Sequence, residues 1–219
     1  MNSLRPFITL SILFVLTACL DTDKRTTALE LAKNSIIVDG HIDVPYRVLR
    51  EWEDVTKATT GGDFDYPRAI KGGLNAPFMS IYTPASLAAE GKSKERADEL
   101  ITLVEKIVSL APDKYAIATS PSQIREQFKQ GLISLPLGME NGSPIEGKIE
   151  NLAYFFNKGI RYITLAHSLS NQISDSSYDS NKAHDGLSGF GEEVVREMNR
   201  LGIIIDISHV SDAAFWDVM

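Results

Sequence analysis

Short apolar runs and longer stripes with helical spacing alternate along this chain. Ile36-Ile37-Val38-Asp39 is a β-branched run ending at Gly40, and Ala76 to Tyr82 is a second, closed by Pro84. Leu132 to Met139, Ile160 to Ala166 and Ile203 to Ile207 follow, the last apolar but for Asp206. Runs without polar alternation predict strands covered on both faces, as in a parallel sheet. Helical patterns separate them. Ser86 to Leu110 carries Leu87, Leu100, Val104, Ile107 and Val108 as its apolar positions and ends before Pro112. Further helices are predicted from Pro121 to Gln130, stopped by Gly131, from Ile145 to Asn157, ended by Gly159, and from Phe190 to Leu201, stopped by Gly202. Another begins at Ser211. Residues 50–73, with Gly61-Gly62 and Gly72-Gly73, read as loop plus a short helix, and 168–189 as a long polar loop.

Five strand–helix units predict an α/β fold with a parallel sheet. A doubly wound sheet closes at that number, whereas a (β/α)8 barrel takes eight units and about 250 residues. The chain stops inside a helical pattern, which favours a TIM-type barrel with about five of eight units present.

The N-terminus changes the picture of where this domain works. Arg5 precedes the apolar run Phe7 to Leu16, too short for the ~30 Å core of a bilayer but of the length of a signal-peptide core. Leu16-Thr17-Ala18-Cys19 follows and resembles a bacterial lipobox, in which the cysteine is lipidated. The expected division is a signal peptide over 1–18, a polar tether over 19–28 and an incomplete barrel over 29–219, exported and lipid-anchored at the cell envelope. Cys19 is the sole cysteine, so disulfides and thiolate metal sites are excluded. The net charge of −7 argues against nucleic acid and against a polybasic grip on lipid, leaving an acyl anchor as the membrane contact. A homodimer is left open.

The candidate chemistry sits where apolar strands end. His41-Ile42-Asp43 follows the first strand, Glu140 closes the run to Met139, His167 closes the run to Ala166, and His209 follows the last. In an extended segment residues two apart face the same side, so His41 and Asp43 project together. In a parallel barrel all strand C-termini open on one face, so these positions converge on one mouth. Nitrogen and oxygen donors without sulfur suit Zn2+ in a catalytic site, and Glu140 has one oxygen for each of two ions. Taken singly, the pair could be a loop hydrogen bond, Glu140 a turn residue, His167 a core histidine and His209 a cap for the helix at Ser211. The fourth histidine, His184, falls in the polar loop.

Several stretches resemble the membrane (renal-type) dipeptidase family of zinc peptidases. They are Val38-Asp39-Gly40-His41-Ile42-Asp43-Val44-Pro45, Asp65-Tyr66-Pro67-Arg68, and Lys71 through Phe78. Gly138-Met139-Glu140-Asn141-Gly142 and Tyr162 through His167 follow, and last comes Gly186 through Asp212. The resemblance implies a (β/α)8 barrel with two zinc ions that hydrolyses dipeptides, a metal-bridging hydroxide attacking the scissile carbonyl. It implies His41 and Asp43 on one ion, Glu140 bridging, His209 on the other, and His167 against the carbonyl oxygen of the substrate. The family supplies a further His ligand, a substrate-binding Arg and a proton-transferring Asp downstream of Met219, so these 219 residues alone are expected to be inactive and poorly soluble. The alternatives are another amidohydrolase-type barrel and a non-catalytic lipoprotein fragment.

Overall fold

The computed structural model describes residues 19–219. The signal-peptide expectation falls on residues outside those described, and so does the lipobox apart from Cys19, of whose side chain nothing is described. Among the described residues there are seven strands: β1 (Val38–Ile42), β2 (Ala76–Tyr82), β3 (Tyr115–Ile117), β4 (Ile133–Leu135), β5 (Leu137–Glu140), β6 (Ile160–Thr164) and β7 (Ile204–Asp206). Nine α-helices accompany them: α1 (Cys19–Asn34), α2 (Val44–Arg50), α3 (Tyr66–Gly72), α4 (Ser86–Glu90), α5 (Ser93–Leu110), α6 (Pro121–Lys129), α7 (Glu150–Asn157), α8 (Gly189–Leu201) and α9 (Asp212–Val218). None of the described helices is long and apolar enough to cross a membrane.

Five strands form one all-parallel sheet in the order β1-β2-β5-β6-β7, as the five apolar runs predict. The sheet curls so far that His41 on β1 touches Tyr162 on β6. Flat, these strands would lie about 14 Å apart, three spacings of roughly 4.8 Å. Met79, Ile81, Leu137, Met139 and Ile163 are fully buried and pack with Leu100, Ile101, Val104 and Ile107 from α5. Each such side chain stabilises the fold by about 1.5–3 kcal/mol. The edge strands are less covered: Val38 on β1 and Ile204 on β7 are 53% and 60% exposed.

The structure revises several boundaries. The 19–28 segment, expected as a tether, is helical, because the chain from Cys19 to Asn34 contains neither Gly nor Pro and Ala28 to Lys33 are mostly good helix formers. The stretch Ser86 to Leu110 is two helices, broken at Gly91, which adopts a left-handed conformation while the Lys92 N–H returns to the Leu87 carbonyl. The run from Leu132 divides at Pro136, which has no N–H for a ladder, leaving β4 paired with β3 and β5 with β2 and β6. Helix α2 was not predicted. Pro45 starts it in the first turn, so Asp43 is a turn residue at its N-cap position rather than part of an extended pair.

The polar loop after His167 is ordered around a buried carboxylate. Asp175 accepts hydrogen bonds from the N–H groups of Ala183, His184 and Gly186 at 2.8–3.3 Å. The Asp175 carbonyl takes the Ser211 N–H at 2.9 Å, tying the loop to the turn beyond β7. His184 is a clasp within this loop, its Nε2 lying 2.8 Å from the Asn171 carbonyl. Ser211, not His209, caps α9, its side chain accepting from the Ala214 N–H.

Candidate metal centre

The C-terminal ends of β1, β5, β6 and β7 bring the five predicted site residues to one place. His41 lies within β1, one residue before its end, because that strand runs on to Ile42 beside β2. Its Nε2 is 3.4 Å from Asp43 Oδ1 and 3.4 Å from Glu140 Oε2. Glu140 ends β5 and is 7% exposed, and its other oxygen, Oε1, is 3.3 Å from His167 Nε2 and 3.4 Å from His209 Nε2. Glu140 therefore stands between two donor groups, His41 with Asp43 on one side and His167 with His209 on the other. Within each group of three, including Glu140, the donor atoms lie within 4.8 Å of one another.

That spacing fits metal ions. Charge-assisted N–H···O bonds close to about 2.7–2.9 Å, and these pairs stand wider. The edge of a tetrahedron built on zinc–ligand bonds of about 2.1 Å is roughly 3.4 Å. His41, Asp43 and Glu140 supply three protein donors, the number usual in a catalytic zinc site with one position left for water.

The backbone around the site is specialised. Asn141 and His209 both have positive φ, 77° and 68°, conformations that cost a non-glycine residue about 1–3 kcal/mol. Asn141 is held there by its side chain, which donates to the Thr83 carbonyl and accepts from the Ser143 N–H. The turn before His209 is held by Asp206, which accepts from the Thr164 hydroxyl at 2.5 Å and from the Ser208 N–H and hydroxyl at 2.9 and 2.7 Å. The His209 carbonyl accepts the Ser177 N–H at 2.8 Å, so the ordered loop fixes it too. Gly142 is glycine for room: a Cβ there would sit 2.7 Å from Ile173 Cδ1 and 3.0 Å from the Leu165 carbonyl oxygen.

Charge and burial set the histidines apart. The Asp43 carboxylate first, and Glu140 second, raise the pKa of His41 from 6.5 to about 10, against the opposing effect of burial. His41 in turn holds the Asp43 carboxyl below its usual range. Burial lowers the pKa of His167 and keeps that ring neutral. Without metal, the cationic His41 stabilises the fold fully below pH 6.5, and this contribution is lost as the pH rises through about 10. Melting temperature in chelator is expected to fall over that window, and to fall less in His41→Asn. Parallel profiles for the two proteins would refute the assignment.

Sequence reasoning did not assign the aromatic residues around these donors. Tyr82 packs edge-on against His167 with centroids 5.0 Å apart, and the Tyr178 ring lies 5.7 Å from His209. Ser80 donates to Glu140 Oε2 at 3.4 Å. Period-two alternation in β2 puts Ser80 and Tyr82 on one side, but the curl that turns that side towards Glu140 is a tertiary feature. A cavity of about 610 Å3 opens beside the donors, walled by Asp43, Tyr46, Arg50, Tyr82, Glu140 and His167.

Known proteins resemble this chain along most of its length. The family model for membrane dipeptidases (peptidase family M19) matches residues 25–219. Dipeptidase verJ of Clonostachys rogersoniana is 30% identical over 210 residues, 87% of this chain and 53% of its own length. Dipeptidase tcpJ of Claviceps purpurea is 32% identical over 165 residues, 72% of this chain and 39% of its own length. The chain thus spans about half the length, or less, of these relatives. Among solved structures, the probable dipeptidase PvdM from Pseudomonas aeruginosa superposes with a TM-score of 0.78 at 23% identity, over 90% of this chain and 52% of that one. A metallopeptidase from Rhodobacter sphaeroides, liganded with a phosphinate mimic of the dipeptide L-Ala-D-Ala, superposes with a TM-score of 0.74 at 23% identity, over 84% of this chain and 61% of that one. At these identities the two structures establish a shared fold, so the five-stranded sheet corresponds to part of a TIM-type barrel.

Proposed function

This chain belongs to the membrane dipeptidase family, and on that premise we propose that it carries the zinc-binding mouth of a dipeptide hydrolase. The observation that carries the reading is Glu140, whose two oxygens each face a separate set of donors at 3.3–3.4 Å. His41, Asp43 and Glu140 would hold one ion; Glu140 and His209 would contribute to a second, which would need a further protein ligand to reach three. Zinc bound there supplies an activated water at neutral pH and polarises the scissile carbonyl.

The protein's own residues then do three things. Glu140 and Asp43 would offset the positive charge of bound metal at the base of the mouth. The cavity beside Tyr46 and Tyr82 takes the substrate and holds its peptide bond over Glu140. His167 presents Nε2–H to the carbonyl oxygen as negative charge develops on it. Its Nδ1 is buried without a hydrogen-bond partner among the described residues, so the single proton of the neutral ring belongs on Nε2, where it can act. The same tautomer argues against His167 as a ligand through Nε2, since that would leave a buried Nδ1–H without an acceptor.

A mimic of L-Ala-D-Ala in the Rhodobacter sphaeroides relative makes small L,D-dipeptides the first substrates to try. By ligand count, these 219 residues alone are proposed to hold one ion firmly and not to turn over substrate. The Leu16-Thr17-Ala18-Cys19 pattern is the ground for proposing attachment to the cell envelope by lipid. The test is zinc titration of the protein followed by L-Ala-D-Ala hydrolysis by the complete enzyme, alongside a cyclic amide and a lactone. Dipeptide cleavage that chelator abolishes and zinc restores is expected. Absence of zinc binding, or cleavage of the cyclic substrates alone, would overturn the reading.

A further inference from the structure

Resting on the zinc reading above, we propose that Tyr162 is a positioning residue for the first metal site. Its hydroxyl takes the Nδ1–H of His41 across the barrel interior and so fixes the ring with Nε2 towards Asp43 and Glu140. Gly138 is glycine because the phenol ring must lie across it.

The geometry carries each part. His41 Nδ1 and Tyr162 Oη are 2.7 Å apart, although the residues are 121 positions apart in the chain and three strands apart in the sheet. Nε2 faces both carboxylates. A ring that offers the Nε2 lone pair to a metal bears its proton on Nδ1, and that N–H needs an acceptor. Tyr162 Oη is the acceptor present. The residue is 7% exposed. Its ring tilts against Phe78 with centroids 5.4 Å apart.

Gly138 and Tyr162 are register partners on β5 and β6. A Cβ on residue 138 would fall 1.9 Å from Tyr162 Cε1 and 2.0 Å from Cζ, inside the ring's own volume. Any side chain there would push the phenol off its path to His41. The glycine of Gly138-Met139-Glu140 thus serves a proposed ligand on another strand, while the glutamate two residues later is itself a proposed ligand. Metal-bound histidines commonly lose 10–100-fold in metal affinity when the group orienting the other ring nitrogen is removed.

The experiment compares zinc affinity, by chelator competition, in the wild type and Tyr162→Phe, with metal-free melting temperature measured beside it. Phe keeps the ring over Gly138 and against Phe78, so the melting temperature is expected to stay near the wild type while the zinc dissociation constant rises about 10–100-fold. Superimposable zinc-binding curves would overturn the inference and leave the peptidase reading intact. Failure of the wild type to bind zinc would instead overturn that reading, and this inference with it. Should Tyr162→Phe not fold, 1H–15N NMR of His41 in the zinc-loaded wild type decides the matter. A slowly exchanging Nδ1–H is expected, and metal on Nδ1 would refute the proposal.

Discussion

Replacing Glu140 by Gln in the complete enzyme is expected to empty both metal positions at once, because no other residue is shared by the two donor groups. Glu140 is the one residue common to the two donor groups, with Oε2 at 3.4 Å from His41 Nε2 and Oε1 at 3.3 and 3.4 Å from the imidazoles of His167 and His209. Gln preserves size and shape but offers a single neutral oxygen, and its amide nitrogen is a donor where a ligand is needed. The negative charge that offsets two dications is removed from a place where little solvent replaces it. Zinc affinity at both sites should fall by more than about 100-fold, beyond the 10–100-fold typical of outer-shell changes. Peptide hydrolysis by the complete enzyme should drop to background. His209→Ala, in contrast, should weaken only the second ion, because His41, Asp43 and Glu140 remain. Elemental analysis after gel filtration separates these outcomes. A Glu140→Gln protein that retained one tightly held zinc would show that the carboxylate does not bridge.

Most of the sheet was legible in the sequence because parallel strands buried on both faces announce themselves as unbroken apolar runs. Ala76 to Tyr82 needed no revision, and Gly202 stops its helix as expected, doing so in a left-handed conformation. Local punctuation was harder to weigh. Pro136 divides an apolar run between two sheets, and nothing within the run shows which partner each half will take. Gly91 breaks what a helical stripe would continue. The site residues were found by position, each near a strand end. One part of that reasoning was wrong in detail: His41 and Asp43 meet because α2 begins at Val44 and turns Asp43 back, not because both belong to an extended segment. What stayed hidden were partners brought together by curl alone. Tyr162 was visible only as a strand aromatic, and its place beside His41 depends on how far the sheet bends. Asp206, a lone polar residue in an apolar run, braces the turn that gives His209 its unusual backbone.

His167→Ala is expected to leave zinc content unchanged and to lower kcat of the complete enzyme by roughly 10²–10³-fold, the usual loss on removing one oxyanion donor. The rival outcome is concrete, because Glu140, His167 and His209 lie close enough together to hold an ion as a group of three. What separates the roles is where the proton sits. His41 has an acceptor for Nδ1–H in Tyr162, so its Nε2 is free to be a ligand. His167 has none among the described residues: its Nδ1 is buried and unpartnered there, and burial lowers the pKa of the ring, so a metal on Nε2 would strand the proton inside the protein. Leaving a buried N–H unsatisfied costs about 1–3 kcal/mol. A bare Nδ1 lone pair is unpartnered too, but that tautomer keeps Nε2–H beside Glu140 Oε1, 3.3 Å away, and available to the substrate. His41→Ala, measured beside it, should lose the first zinc and with it all turnover. Equal zinc loss in the two variants would make His167 a ligand and reassign stabilisation of the oxyanion to another group. Retained zinc with undiminished kcat would remove His167 from the chemistry altogether.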